Sequence, residues 1–177
     1  MHDKILLHLL EKGATLYGGF VRDYLIRGEN FSDIDYYFEN QRPIDLGENT
    51  FKINNQIINF VANDEPHKFV IDREYHFFYR TYHHDLSCNL FGFDKDGFFP
   101  LPCRHENVDL EKFWQGILNK EFYKLSNGKL TKDKLISRGW KMIDQTEDLC
   151  HDIIHRDRVG IWQEHNEIAL QRIKDIK

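Results

Sequence analysis

The stretch LYGGFVRDYLIRGENFSDIDYYF, residues 16–38, carries the signals that decide the fold of this chain. An apolar run leads into the pair Gly18-Gly19, and apolar residues then recur at helical spacing until Gly28. Glycine after such a run is typical of a helix end. The order therefore predicts a strand over 14–17, a glycine turn and a short helix.

The last part of this stretch, DIDYYF at 33–38, alternates in the manner of a strand. Because successive strand side chains point to opposite faces, Asp33 and Asp35 are predicted to share one face. Paired carboxylates are the ligands that hard cations such as Mg²⁺ prefer. The pair is thus a candidate metal site, and the alternative is that Asp33 caps a turn while Asp35 is solvated.

The glycine turn has both a functional and a structural interpretation. Gly18 and Gly19 let backbone N–H groups approach an anion, and a helix that starts directly after them presents its positive end to a phosphate. The alternative is a tight strand-to-helix connection without a ligand. Arg22 and Asp23 follow in the sequence, and they either contact a ligand or form an internal salt bridge that fixes the turn.

The rest of the chain predicts further helices and hairpins. Strand-like runs flank turns at 54–55 and 94–97, the second after an apolar segment over 86–93. Residues 68–82 are aromatic-rich and ambiguous between helix and strand, so no element is assigned there. Helical spacing recurs over 3–11, 108–118, 132–149 and 161–176.

Composition narrows the class of protein. With 177 residues, 41% hydrophobic and 14% aromatic, the chain is sufficient for one substantial core. Nucleic-acid-binding proteins usually have a basic surface, whereas this chain has a net charge of -5. Any contact with a polynucleotide would therefore be local. The three cysteines have no paired spacing, and the N-terminal apolar pattern contains charges. No apolar run approaches the roughly 18 residues of a membrane span. These features predict a cytoplasmic protein without membrane association.

Two motifs in order resemble one enzyme family. GGFVRD at 18–23, followed by SDID at 32–35 with an apolar tail, resembles the signature of the tRNA nucleotidyltransferase (CCA-adding enzyme) and bacterial poly(A) polymerase head domain, within the DNA polymerase β superfamily. DLSCNLFGFDKDG at 85–97 resembles that family's RRDFTINA segment and its YDxxG turn. The resemblance covers 16–101.

The resemblance implies an α/β (α+β) fold. A nucleotidyltransferase head with a small mixed sheet and flanking helices is expected over 1–107, followed by a helical appendage over 108–177. The implied activity is metal-dependent transfer of a nucleoside monophosphate from an NTP to a hydroxyl acceptor, with release of pyrophosphate. An RNA 3′ end, such as that of tRNA, is the acceptor that the resemblance favours, and Mg²⁺ or Mn²⁺ is the implied cofactor.

The resemblance also implies roles for individual residues. In the phosphate and metal region, Gly18 and Gly19 would hold the triphosphate, supported by Arg22 and Asp23. Asp33 and Asp35 would bind the catalytic metals.

A second group would contact the nucleoside. Asp85 and Asn89 would lie near the ribose and base of the incoming nucleotide, although Asn89 also fits a plain turn residue. Arg138 is the residue that best matches the family's nucleotide-selecting helix.

This chain departs from the family pattern at two positions. His83 and His84 stand where an Arg-Arg pair is usual, which predicts a weaker, pH-dependent contact. Asn59 stands where the strand after the aspartates usually supplies a third carboxylate, and an amide cannot act as a base. Asp64 and Asp72 are the alternative sources of a third carboxylate.

These departures keep two other functions open. One is a small transferase that nucleotidylates a protein or small molecule, as a toxin or phage-type effector would. The other is a degenerate head that binds nucleotide or RNA without catalysis.

Two further patterns have structural alternatives. Cys150, His151 and His155 have the residue types of a zinc site, but they match no compact zinc motif and also fit structural positions. A basic cluster fits either a nucleic-acid contact or the solvated face of a helix. It consists of Lys129, Lys132, Lys134, Arg138 and Lys141.

Overall fold

The protein is described here by a computed structural model, which covers residues 2–38, 50–53, 56–63, 86–101, 109–125, 132–145 and 163–176. The chain divides into two units. The first contains Met1–Glu65, Phe91–Phe99 and Asp157–Lys177, and the second contains Pro66–Leu90 and Pro100–Arg156. Among the helices in these ranges, none has the length and apolar character of a membrane span.

The chain contains both helices and strands, so its fold is mixed α and β. The strands are β1 Ala14–Tyr17, β2 Asp33–Phe38, β3 Thr50–Ile53, β4 Gln56–Asn63, β5 Phe91–Asp94, β6 Gly97–Pro100, β7 Glu121–Lys124 and β8 Lys141–Gln145. The helices are α1 His2–Glu11, a π-helix Phe20–Ile26, a 3₁₀ turn Ser87–Asn89, α2 Leu110–Leu118, α3 Lys132–Ser137 and α4 Gln163–Lys174. These bounds confirm the strands predicted at 14–17 and 33–38 and the helix predicted over 3–11.

The first unit is built on a six-stranded mixed sheet in the order β3-β4-β2-β1-β5-β6. β1 pairs antiparallel with both β2 and β5, whereas β2 pairs parallel with β4. β3 and β4 form an antiparallel hairpin, and β5 and β6 are neighbours across the turn at 94–97. The mixed sheet predicted from the sequence is therefore present, and β2 lies in its interior.

Apolar side chains that alternate along the strands form the core of the first unit. Ile34, Tyr36 and Phe38 of β2 are buried, as is Leu16 of β1. These positions of β2 share one face, while Tyr37 on the other face is also buried, and burial of each large apolar side chain contributes about 1.5–3 kcal/mol. This burial fixes the register of β2 and so determines which face carries its aspartates.

Helix α4 packs on the π-helix and satisfies its C-terminal carbonyls. One guanidinium nitrogen of Arg172, Nη1, donates to the carbonyl oxygen of Leu25 at 2.6 Å and to that of Ile26 at 2.9 Å. The Tyr24 hydroxyl donates to the carbonyl oxygen of Arg172 at 2.5 Å. The last carbonyls of a helix need such external donors. Gly28, at φ +71°, leaves room for the same guanidinium.

Removing this guanidinium is expected to destabilise the first unit. An Arg172→Met variant should lose about 2 kcal/mol of unfolding free energy, because two carbonyls lose their donor. Urea unfolding measures the change. The matched control is Lys174→Met, which removes one positive charge from an exposed position of the same helix and should change stability by less than about 0.5 kcal/mol. Equal losses in the two variants would contradict the role assigned to Arg172.

The second unit combines α2, α3, the 3₁₀ turn and a parallel pair of strands. α2 begins at an N-cap, where Oδ1 of Asp109 accepts a hydrogen bond from the Lys112 N–H at 3.1 Å. β7 and β8 pair parallel, with α3 between them in sequence. The Oγ of Ser87 accepts from the Tyr123 N–H at 2.8 Å, which holds the 3₁₀ turn against β7.

The helix predicted over 132–149 is wrong over residues 138–145, and residues 146–149 lie outside the described residues. Gly139 takes φ +88°, its N–H donates to the Ile136 carbonyl, and the Trp140 N–H donates to the Leu135 carbonyl. This pair of hydrogen bonds is the Schellman ending of a helix. The buried Trp140 then leads directly into β8. The segment from residue 108 onward is consequently not wholly helical.

Candidate active site

Asp33 and Asp35 lie on one face of β2, opposite the buried Ile34 and Tyr36, as the alternation predicts. Asp33 is exposed and Asp35 is half-buried. Both carboxylates therefore lie on the face of β2 opposite Ile34 and Tyr36, which they share with the buried Tyr37. Their shared face gives a hard cation two anionic oxygen donors on neighbouring positions.

The glycine turn packs against the second of these aspartates. Tyr17, the last residue of β1, is the register partner of Asp35, so Gly18 follows directly beside this carboxylate. Gly18 has φ +70°, and a Cβ at this position would lie 3.3 Å from Oδ2 of Asp35. A side chain here would be strained in the backbone and crowded by the carboxylate. The turn and Asp35 are thus one structural feature.

Arg22 and Asp23 form the internal salt bridge that the sequence left open. Nε of Arg22 donates to Oδ1 of Asp23, and Nη2 donates to Oδ2, both at 2.8 Å. The Arg22 side chain is 8% exposed and the Asp23 side chain 18% exposed. A Cβ on Gly19 would lie 3.5 Å from Nη2 of Arg22. The pair therefore braces the start of the π-helix beside the glycine turn.

Asn59 of β4 lies directly beside Asp33. The two residues are register partners in the parallel pair β2–β4. Nδ2 of Asn59 donates to Oδ1 of Asp33 at 3.4 Å, and Oδ1 of Asn59 accepts from the Thr50 hydroxyl at 3.2 Å. The position at which the resemblance implies a third carboxylate is therefore adjacent to Asp33, and the Asn59 amide contacts that aspartate.

Tyr17 is a member of this group that the sequence analysis did not single out. Its ring is fully buried and meets the Tyr37 ring edge-on, with centroids 5.4 Å apart. Burial, and then the carboxylate of Asp35 and the neighbouring Tyr37, raise the pKa of the Tyr17 phenol well above its usual value. The hydroxyl therefore stays protonated beside Asp35. In the sequence, the position of Tyr17 next to Gly18, at the end of a predicted strand, was the signal that could have identified it as part of the site.

The nucleoside-contacting residues predicted from the resemblance belong to the second unit. Asn89 ends the 3₁₀ turn, is 8% exposed and donates its backbone N–H to the Leu86 carbonyl at 3.0 Å. Arg138 is exposed and follows α3. Asp85 lies outside the described residues. The first unit contains the other residues considered for the site, namely Gly18, Gly19, Arg22, Asp23, Asp33, Asp35 and Asn59.

The donor set around β2 fits a hard divalent cation. In the part of the chain that the structure describes, no group of three or more His, Cys, Asp or Glu side chains has the arrangement of a metal site. The two carboxylates still match the oxygen preference of Mg²⁺, which keeps several waters or phosphate oxygens as its other ligands. The proposed zinc residues Cys150, His151 and His155 lie outside the described residues, as do Asp64, Asp72, His83 and His84.

Comparison with known proteins adds no relative. No protein-family model, curated protein or solved structure matches this chain.

Proposed function

We propose that the protein transfers a nucleoside monophosphate from an NTP to a hydroxyl acceptor and releases pyrophosphate. The observation that carries this proposal is the placement of Asp33 and Asp35 on one face of β2, with the Gly18 turn against the Asp35 carboxylate. Carboxylates beside a glycine turn can hold a cation and leave space for its phosphate ligands. The ordered sequence motifs at 18–35 and 85–97 support the same activity.

The residues of the site have distinct tasks in this reaction. The acceptor oxygen bonds to the α-phosphorus, the bond to the oxygen that bridges to the β-phosphorus breaks, and the acceptor proton passes to solvent. A bound divalent cation would stabilise charge on the phosphate oxygens and lower the pKa of the attacking hydroxyl. Asp33 and Asp35 hold this cation, the Gly18-Gly19 turn admits the phosphates, and the Arg22–Asp23 pair keeps the turn in place.

An RNA 3′ end is the proposed acceptor, and the second unit supplies cations for its backbone. Lys134, Arg138 and Lys141 are exposed on and after α3. Exposed lysine and arginine side chains bind phosphates with a strong dependence on salt. The negative overall charge of the chain makes such a local cluster necessary for RNA binding.

Reversing charges in this cluster is expected to weaken RNA binding. A Lys134→Glu, Arg138→Glu double variant should bind a labelled RNA about tenfold more weakly and lower the salt slope by about 2, one for each lost phosphate contact. Fluorescence anisotropy at several salt concentrations measures both quantities. The control is Lys12→Glu with Lys95→Glu, an equal charge change at exposed positions of the first unit. Equal weakening in both double variants would contradict a local RNA surface.

A transfer assay tests the proposed function. The protein is incubated with Mg²⁺ or Mn²⁺, each labelled NTP in turn, and total RNA, and the Asp35→Asn variant serves as the control. Label on RNA that the variant does not produce supports the proposal. Label on the protein itself supports a nucleotidylating effector instead.

Asn59 favours a second candidate, a head that binds nucleotide without transferring it. An amide beside Asp33 supplies no negative charge and no base. Saturable NTP binding with no labelled product under any of these conditions would support this candidate and overturn the proposed transfer.

A further inference from the structure

We infer that Asn59 is a positioning residue for Asp33, and that Asp33 and Asp35 alone supply the anionic ligands of a single divalent cation. This inference rests on the proposed function and concerns the same site. Asn59 occupies the position at which a third carboxylate would join the paired aspartates. It instead contacts one of them through a hydrogen-bond donor.

The sheet places three polar side chains in one row. Asp33 pairs with Asn59 across β2 and β4, and Asn59 pairs with Thr50 across β4 and β3. Register partners on neighbouring strands have their side chains on the same face. The row therefore runs from Thr50 at one strand to Asp33 two strands away, and Asn59 lies between them.

The hydrogen bonds determine which end of the amide faces the aspartate. The Thr50 hydroxyl donates to Oδ1 of Asn59 at 3.2 Å, so the amide oxygen is directed away from Asp33. Nδ2, which has protons and no lone pair for a metal, is directed toward Oδ1 of Asp33 at 3.4 Å. In this arrangement Asn59 orients the carboxylate and does not coordinate a cation.

Charge balance leads to the number of cations. Asp33 and Asp35 together carry two negative charges, which match one divalent ion, and Asn59 adds none. A second divalent ion beside the first would need further anionic ligands to offset their mutual repulsion. The hydrogen bond from Asn59 engages one carboxylate oxygen of Asp33, Oδ1.

Titration of the whole chain with Mn²⁺, followed by electron paramagnetic resonance of the free ion, tests the inference without any measurement of transfer. The wild-type chain should bind one Mn²⁺. Asn59→Leu should bind it about tenfold more weakly, the scale of losing a group that orients a metal ligand. Asn59→Asp should bind a second Mn²⁺, because it adds the third carboxylate beside Asp33.

Gln56→Asp is the matched control. Gln56 is an exposed residue of the same strand, at a position that alternates to the opposite face from Asn59. This variant adds the same negative charge but should leave the number of bound Mn²⁺ ions at one. Thr50→Val removes the hydroxyl that donates to the Asn59 amide. This second variant should weaken Mn²⁺ binding, as Asn59→Leu does. Thermal unfolding checks that each variant is folded.

Two results would overturn the inference while leaving the transfer activity intact. In the first, the wild-type chain binds two Mn²⁺ ions. In the second, Asn59→Leu and Thr50→Val bind Mn²⁺ with unchanged affinity while the wild-type chain transfers nucleotide. A wild-type chain that neither binds Mn²⁺ nor transfers nucleotide would overturn the proposed function and this inference together.

Discussion

Replacing Asp35 with Asn is expected to lower the rate of nucleotidyl transfer by about a thousandfold or more. The amide keeps the shape of the side chain but removes the negative charge that lies beside the Gly18 turn. Preorganised charge at a reacting phosphate is usually the largest contribution to catalysis, and loss of one such group costs about 10²–10³ in rate. The expected loss is larger for Asp35 because the change also removes half of the anionic charge of the proposed cation site.

Steady-state transfer with saturating NTP and Mg²⁺ measures this loss as kcat. Asp94→Asn is the control, because Asp94 is a half-buried aspartate of the same sheet, on β5, outside the proposed site. Both variants should remain folded, as followed by thermal unfolding. An Asp35→Asn variant that keeps more than about a tenth of the wild-type kcat would contradict the role of Asp35 in charge stabilisation.

Gly18→Ala is expected to reduce transfer by about a hundredfold and stability by about 1–2 kcal/mol. The stability loss arises because a residue with a Cβ is strained at φ +70°. The loss of activity has a separate cause. The new Cβ would lie 3.3 Å from Oδ2 of Asp35, and a small displacement of a catalytic group has an effect of this size on rate.

Gly13→Ala separates these two causes. Gly13 has φ +95° and belongs to the same unit, but a Cβ there would meet no atom within 4 Å. The two variants should therefore lose similar unfolding free energy in urea, whereas only Gly18→Ala should lose transfer. Parallel losses of activity in both variants would mean that backbone strain, and not contact with Asp35, explains the effect.

The local part of the site follows from the sequence, because period-two alternation places Asp33 and Asp35 together. The glycine pair likewise marks the turn after β1. Pairing between distant strands has no such local signal. The parallel neighbour of β2 is β4, and it brings Asn59 to Asp33 across 26 positions of sequence. Only the resemblance indicated Asn59, and neither source indicated its Thr50 partner.

The misplaced helix has a similar explanation. Apolar residues over 132–149 recur at intervals that suit a helix, yet β8 forms because a parallel partner, β7, is available. Tertiary pairing overrides a local preference in such a segment. Gly139 was the available sequence signal for the break, and its left-handed conformation ends α3.

The contact between Arg172 and the Leu25 carbonyl joins positions 147 apart in sequence. During synthesis, the π-helix beside the glycine turn leaves the ribosome long before the side chain that completes its end. The whole second unit is translated in the interval. Contacts of such large sequence separation form late and slow folding. A nascent chain therefore lacks the donor for the Leu25 and Ile26 carbonyls until α4 has been synthesised, so the end of the π-helix is completed only after the second unit has been translated.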